Sequence, residues 1–110
     1  MAVLAQILAV SAVFAIGCAF HDAVAQDGDI GKGANHARQV CARCHAIRKG
    51  DELSSHPNAP SFETIANTSG VSKISLATIL RSTHESMPNF VLAPDEQDNI
   101  IAYILSLKQR

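Results

Sequence analysis

The sequence has no tryptophan, one tyrosine and four phenylalanines in 110 residues, so large side chains for closing a core are scarce. It also lacks a charge excess. The formal net charge is −1, with acidic and basic residues interspersed, which argues against a nucleic-acid partner and against an acidic tail. No internal repeat or low-complexity stretch is present, and the length allows one domain at most. Cysteine is sparse, and none follows Cys44, so a four-ligand zinc site has no second short-spaced pair. No strand pattern flanks the cysteines either, which removes the βαβ context of a thioredoxin-like thiol pair. A domain this small and this poor in aromatics needs a staple or a cofactor to complete its interior.

What is present is the pentapeptide Cys41-Ala42-Arg43-Cys44-His45. Read as C-x-x-C-H, it is the attachment signature of a c-type haem. Two thiols three positions apart lie about one helical turn from each other on one face. From there both can form thioethers with the vinyl groups along one porphyrin edge. The next residue, His45, is then carried to the iron as an axial ligand. A plain disulfide suits an oxidising compartment but leaves His45 without a purpose.

Upstream, Ala2 to Phe20 is almost continuously apolar, and Ala23-Val24-Ala25 follows a polar shift at His21-Asp22. The order predicts a secretory leader cut after Ala25, dividing residues 1–25 from a domain at 26–110. No Lys or Arg precedes the apolar run. A retained membrane anchor ranks second, and lipidation at Cys18, preceded by Ala15-Ile16-Gly17, ranks third. All three deliver the domain to the outer side of a membrane, where bacterial c-type haem is attached.

In the body, Asp27 and Asp29 are N-cap candidates for a helix running to Val40, with Ile30, Ala34, Ala37 and Cys41 as its apolar stripe. Gly31 and Gly33 within it mark close approach of another helix. His36 falls on the polar side and reads as a solvated surface residue. Ala46 to Pro60 is a turn-rich loop. The carbonyl of Pro60 is the first candidate to accept the second ring N–H of His45. Ser61 to Asn67 predicts one or two helical turns with Phe62 and Ile65 inward. Ser72 caps a helix to Thr83 whose apolar side is Ile74, Leu76, Ile79 and Leu80. Pro94 opens a last helix to Leu107 with Ile100, Ile101, Ile104 and Leu107 buried.

Met87 sits in a loop just before Pro88. A loop methionine is often gap-filling core. With a haem inferred, it becomes the candidate second axial ligand. His84 and His56 are the competitors, read instead as a surface histidine and a turn residue.

In this order the motifs resemble a small bacterial class I c-type cytochrome, from about Gly28 to Lys108. The resemblance rests on Gly33 in the first helix, Cys41-x-x-Cys44-His45, Pro60, Met87-Pro88 and Ala102-Tyr103. It implies an all-α fold of three to five short helices around one covalently bound haem c, with Gly33 and Tyr103 meeting where the first and last helices cross. An aromatic residue commonly stands four positions after that glycine, and Ala37 stands here instead.

The implied function is one-electron transfer in the periplasm with His45/Met87 ligation, and no catalysis. Redox proteins would dock at the exposed haem edge around Ala42, Arg43, Ala46 and the Met87 loop. Arg38, Arg43, Arg48 and Lys49 would steer an acidic partner to a monomer. The rivals are a gas-sensing or peroxide-reactive haem protein, a haem-bearing subunit of a larger oxidoreductase, and a thiol-disulfide protein without haem.

Overall fold

Each helix starts where a side chain can satisfy a backbone N–H left free by the first turn. The computed structural model describes residues 27–82 and 86–110. Helix α1, Ile30–Gln39, is capped by Asp29, whose Oδ1 accepts from Lys32 N at 2.8 Å. Helix α2, Phe62–Asn67, is capped by Ser61 Oγ, which accepts from Thr64 N at 3.1 Å. Helix α3, Lys73–Arg81, opens with a reciprocal pair, Ser75 N to Ser72 Oγ and Ser72 N to Ser75 Oγ. Helix α4, Pro94–Ser106, has proline in its first turn, and the Glu96 carboxylate accepts from Ala93 N at 3.0 Å. A 3-10 turn at Cys41–Arg43 completes the set, and no strand occurs among the described residues. The fold is all-α. None of the described helices is long and apolar enough to cross a membrane. The leader and anchor readings at residues 1–25, and Cys18, lie outside the described residues.

The fold is organised by the crossing of α1 and α4. A Cβ on Gly33 would be driven into the carbonyl of Asn99 and would sit 2.9 Å from Tyr103 Cβ. One on Gly28 would meet the carbonyl of Asp98. Only glycine permits this approach. Asn99 adds a polar tie, its Oδ1 accepting from Asp29 N at 2.7 Å. Ala37 is fully buried in the core beside the crossing, so the smaller residue does not loosen it.

Three apolar expectations fail. Ile30 and Ile74 lie at the starts of their helices and are 52 % and 79 % exposed, and Ile79 is 45 % exposed. The buried positions of α1 are Gly33 and Ala37, and that of α3 is Leu76. The α4 stripe of Ile100, Ile101, Ile104 and Leu107 is buried as expected, though Leu107 caps the helix and does not extend it. Helix α3 ends at Arg81 with Ser82 as its cap, short of Thr83.

The loop after His45 is tied down at four points. Ala46 N donates to Ser54 Oγ at 2.9 Å, and Phe62 N donates to Ala46 O at 2.8 Å. Gly50, with φ +84°, donates to Glu63 Oε2 at 2.7 Å. That bond, then the Gln109 side chain and Lys49, hold the Glu63 carboxyl below its ordinary value. The fourth tie crosses the molecule: Tyr103 OH donates to Ile47 O at 2.7 Å. Tyr103→Phe removes this donor and leaves the Ile47 carbonyl without it. The expected loss is about 1–3 kcal/mol in urea denaturation, with the visible spectrum unchanged. An unchanged midpoint would mean that the other three ties hold the loop by themselves.

Candidate cofactor site

Helix α1 ends by tightening into the attachment motif. Val40 N donates to His36 O at 3.0 Å, and both Cys44 N and His45 N then donate to Cys41 O, at 3.1 and 2.9 Å. One compact turn therefore presents Cys41, Cys44 and His45 together. Both thiols are free and half-buried. Burial pushes the Cys41 thiol up to about 11. Thiol-disulfide exchange works through the thiolate, so this environment is poorly suited to it.

The His45 ring is oriented from two sides. Its Nδ1 lies 2.6 Å from Pro60 O, the acceptor expected from the sequence. A carbonyl oxygen only accepts, so Nδ1 carries the proton and Nε2 of the neutral ring keeps a lone pair. Phe62 packs against the ring at 5.4 Å between centroids, and Tyr103 backs Phe62 at 6.3 Å. Pro60 is held because Ser61 caps α2 and Phe62 N is bonded to Ala46 O.

His56 is bonded the other way. Its backbone N donates to Cys44 O at 3.1 Å, while its Nδ1 accepts from Asn58 N at 3.3 Å. In the neutral ring that leaves the proton on Nε2 and no spare lone pair, which suits a turn residue better than a ligand. His84 lies outside the described residues.

These residues open onto a cavity of about 950 Å³. That is at the upper end of the ~300–1,000 Å³ range of small-molecule and cofactor sites. Cys41, Cys44, His45 and Met87 all line it, and Met87 is half-buried. The walls are apolar: Phe62 and Ile65 from α2, Leu76 and Leu80 from α3, Ile100 and Ile104 from α4. Among the described residues no cluster of three or more His, Cys, Asp or Glu could hold a bare metal ion. The site instead offers two thiols on one turn, one imidazole nitrogen, one thioether sulfur and a large apolar volume. That donor set and cavity fit a covalently held porphyrin iron.

The sequence pattern of the family described as cytochrome c oxidase, cbb3-type, subunit III matches residues 28–104. The chain belongs to the c-type cytochromes. The Bradyrhizobium diazoefficiens protein named cytochrome c-552 is 36% identical over 96 residues, covering 87% of this chain and 89% of that protein. No solved structure matches. As a member of the family this cytochrome carries covalently bound haem c, and it is an electron-transfer protein, not an enzyme.

Two surface expectations for the cytochrome change. Ala46, expected at a docking edge, is buried under the tied loop, whereas Arg43 is exposed. His36, expected on the solvated face, is half-buried against α4, with Nδ1 3.9 Å from Glu96 Oε1, and it lines the cavity. Val40, the residue that caps α1 four positions on, also lines the cavity.

Proposed function

We propose that this cytochrome is a periplasmic one-electron carrier with His/Met axial ligation. The observation that carries this reading is the convergence of Cys41, Cys44, His45 and Met87 on one apolar cavity. Bound haem supplies a reversible one-electron ferric/ferrous couple. The thiols of Cys41 and Cys44 would hold it covalently. His45 would offer its Nε2 lone pair to the iron, with the Pro60 carbonyl fixing the tautomer and making the ring a better donor. Met87 would offer its thioether sulfur, a ligand that favours the ferrous state. The apolar walls exclude water and raise the potential further.

Partners are redox proteins. The surface at the cavity mouth supports docking there: Arg43 is exposed, and Phe90 lines the opening with Val91 fully exposed beside it. Arg43 supplies positive charge toward an acidic partner, while Arg48 is paired with Asp51 at 3.0 Å and Lys49 acts on the Glu63 carboxylate. The apolar segment before Ala25 carries the chain to the periplasm and is removed there. The protein acts as a monomer.

Covalent attachment is tested by denaturing gel electrophoresis with haem staining, and by intact mass, after expression with a c-type maturation system. Wild type is expected to keep its haem through denaturation. Cys41→Ala and Cys44→Ala are each expected to lose a thioether, and the double variant to lose the stain entirely. A double variant that retained covalent haem would overturn the assignment of these thiols.

A further inference from the structure

His36 occupies a position that electron transfer alone does not require. It is the residue common to two spaces: the apolar cavity, and a groove of about 310 Å³ on the outer side of the α1–α4 crossing. In the groove it faces Glu96. That carboxylate is not free to swing away, because its Oε2 accepts from Ala93 N at 3.0 Å while its Oε1 lies 3.9 Å from His36 Nδ1. Asp95 from α4 and Lys32 from α1 also line the groove, and Arg43 and His56 line the cavity side. The imidazole thus has a fixed carboxylate and a water route on one side, and the cofactor cavity on the other.

We propose that His36 is a redox-linked proton site, so that electron uptake by this cytochrome is coupled to proton uptake. Reduction takes one electron from a reduced protein partner and removes one unit of positive charge from the cavity. The neutral His36 ring then takes a proton from water through the groove and becomes an imidazolium held by Glu96. Oxidation reverses both steps. The coupling is electrostatic, is partly screened because the His36 side chain is 22 % exposed, and is reciprocal. Protonated His36 disfavours the ferric form, so its proton affinity is higher in the ferrous protein. The midpoint potential is therefore higher at low pH and falls as pH rises from the ferric to the ferrous His36 pKa. Outside that window this site contributes no slope.

The inference rests on the haem carrier reading but not on Met87 as the ligand. A protein with no reversible one-electron couple would sink the carrier reading itself. A reversible couple with no His36 dependence would sink only this proposal. The experiment is a potentiometric titration of the holoprotein from pH 5 to 9 for wild type, His36→Gln and Glu96→Gln, with NMR titration of the His36 ring in both oxidation states. His36→Gln keeps a polar side chain of similar size that does not protonate, and its visible spectrum checks that the site is intact. The expected result is a proton affinity at His36 about threefold or more higher in the ferrous protein. At 59 mV per tenfold that is roughly 30 mV of pH-dependent potential, absent from His36→Gln. Glu96→Gln should move the window to lower pH. Equal His36 pKa values in the two states, or a His36→Gln slope identical to wild type, would overturn it.

Discussion

Replacing Met87 by alanine is expected to erase the weak far-red absorption band of the ferric cytochrome and to lower its potential by on the order of 0.2 V. The band reports an iron–methionine sulfur bond, and a methyl group cannot make one. The fall in potential has two causes. A thioether is a soft neutral ligand that favours the ferrous state, whereas the water that enters a vacated position favours the ferric one. Axial ligands set haem potentials over a range of about 0.8 V, so a change of this size is ordinary for a ligand exchange. The half-buried setting of Met87 on the cavity wall also means that its loss lets solvent into an apolar space. Band and potential both unchanged in Met87→Ala would show that the sulfur does not bind iron.

The second large effect lies away from the ligands. Gly33→Val is expected to destabilise the protein by about 3 kcal/mol or more and to depress the yield of mature holoprotein. The new Cβ meets the Asn99 carbonyl and Tyr103 Cβ, and the first of these is backbone that cannot swing aside. Relief requires α1 and α4 to separate, and both line the cavity, through His36 and Val40 on one side and Ile100 and Ile104 on the other. Gly31→Val is the control. Gly31 is exposed, and a Cβ there meets only the Asp29 carboxylate, at 3.3 Å. Its expected cost is under about 1 kcal/mol, since valine is no worse a helix former than glycine. Equal midpoints for the two variants in urea denaturation would contradict the close crossing.

The features legible in the sequence were those set by short-range chemistry. C-x-x-C-H fixes the order of thiols and imidazole within one turn. The need of an axial histidine for an acceptor pointed to Pro60, and the structure places that carbonyl 2.6 Å from the ring. Ser61, Ser72 and Pro94 marked helix starts because capping is local.

Illegible features depend on which way an element faces or on distant partners. Helical spacing grouped Ile30 with Ala37, and Ile74 with Leu76, but periodicity cannot show where a stripe runs out into solvent. His36 looked polar and peripheral because the Glu96 carboxylate beside it arrives from a helix 60 residues away. The tie from Tyr103 OH to Ile47 O spans 56 residues and leaves no trace in either local pattern. Met87 could be placed in a loop before Pro88, but only the folded chain brings it to the same cavity as His45.

If His45 and Met87 fill both axial positions, the protein is a carrier with no vacancy for a small ligand. The direct measurement is the visible spectrum of the ferrous wild-type holoprotein before and after carbon monoxide is added at neutral pH. The expected result is no change on the timescale of mixing, with a carbon monoxide complex forming readily only in Met87→Ala. A rapid, stoichiometric complex in the wild type would contradict filled axial positions and would make gas or peroxide chemistry the better account of this cavity.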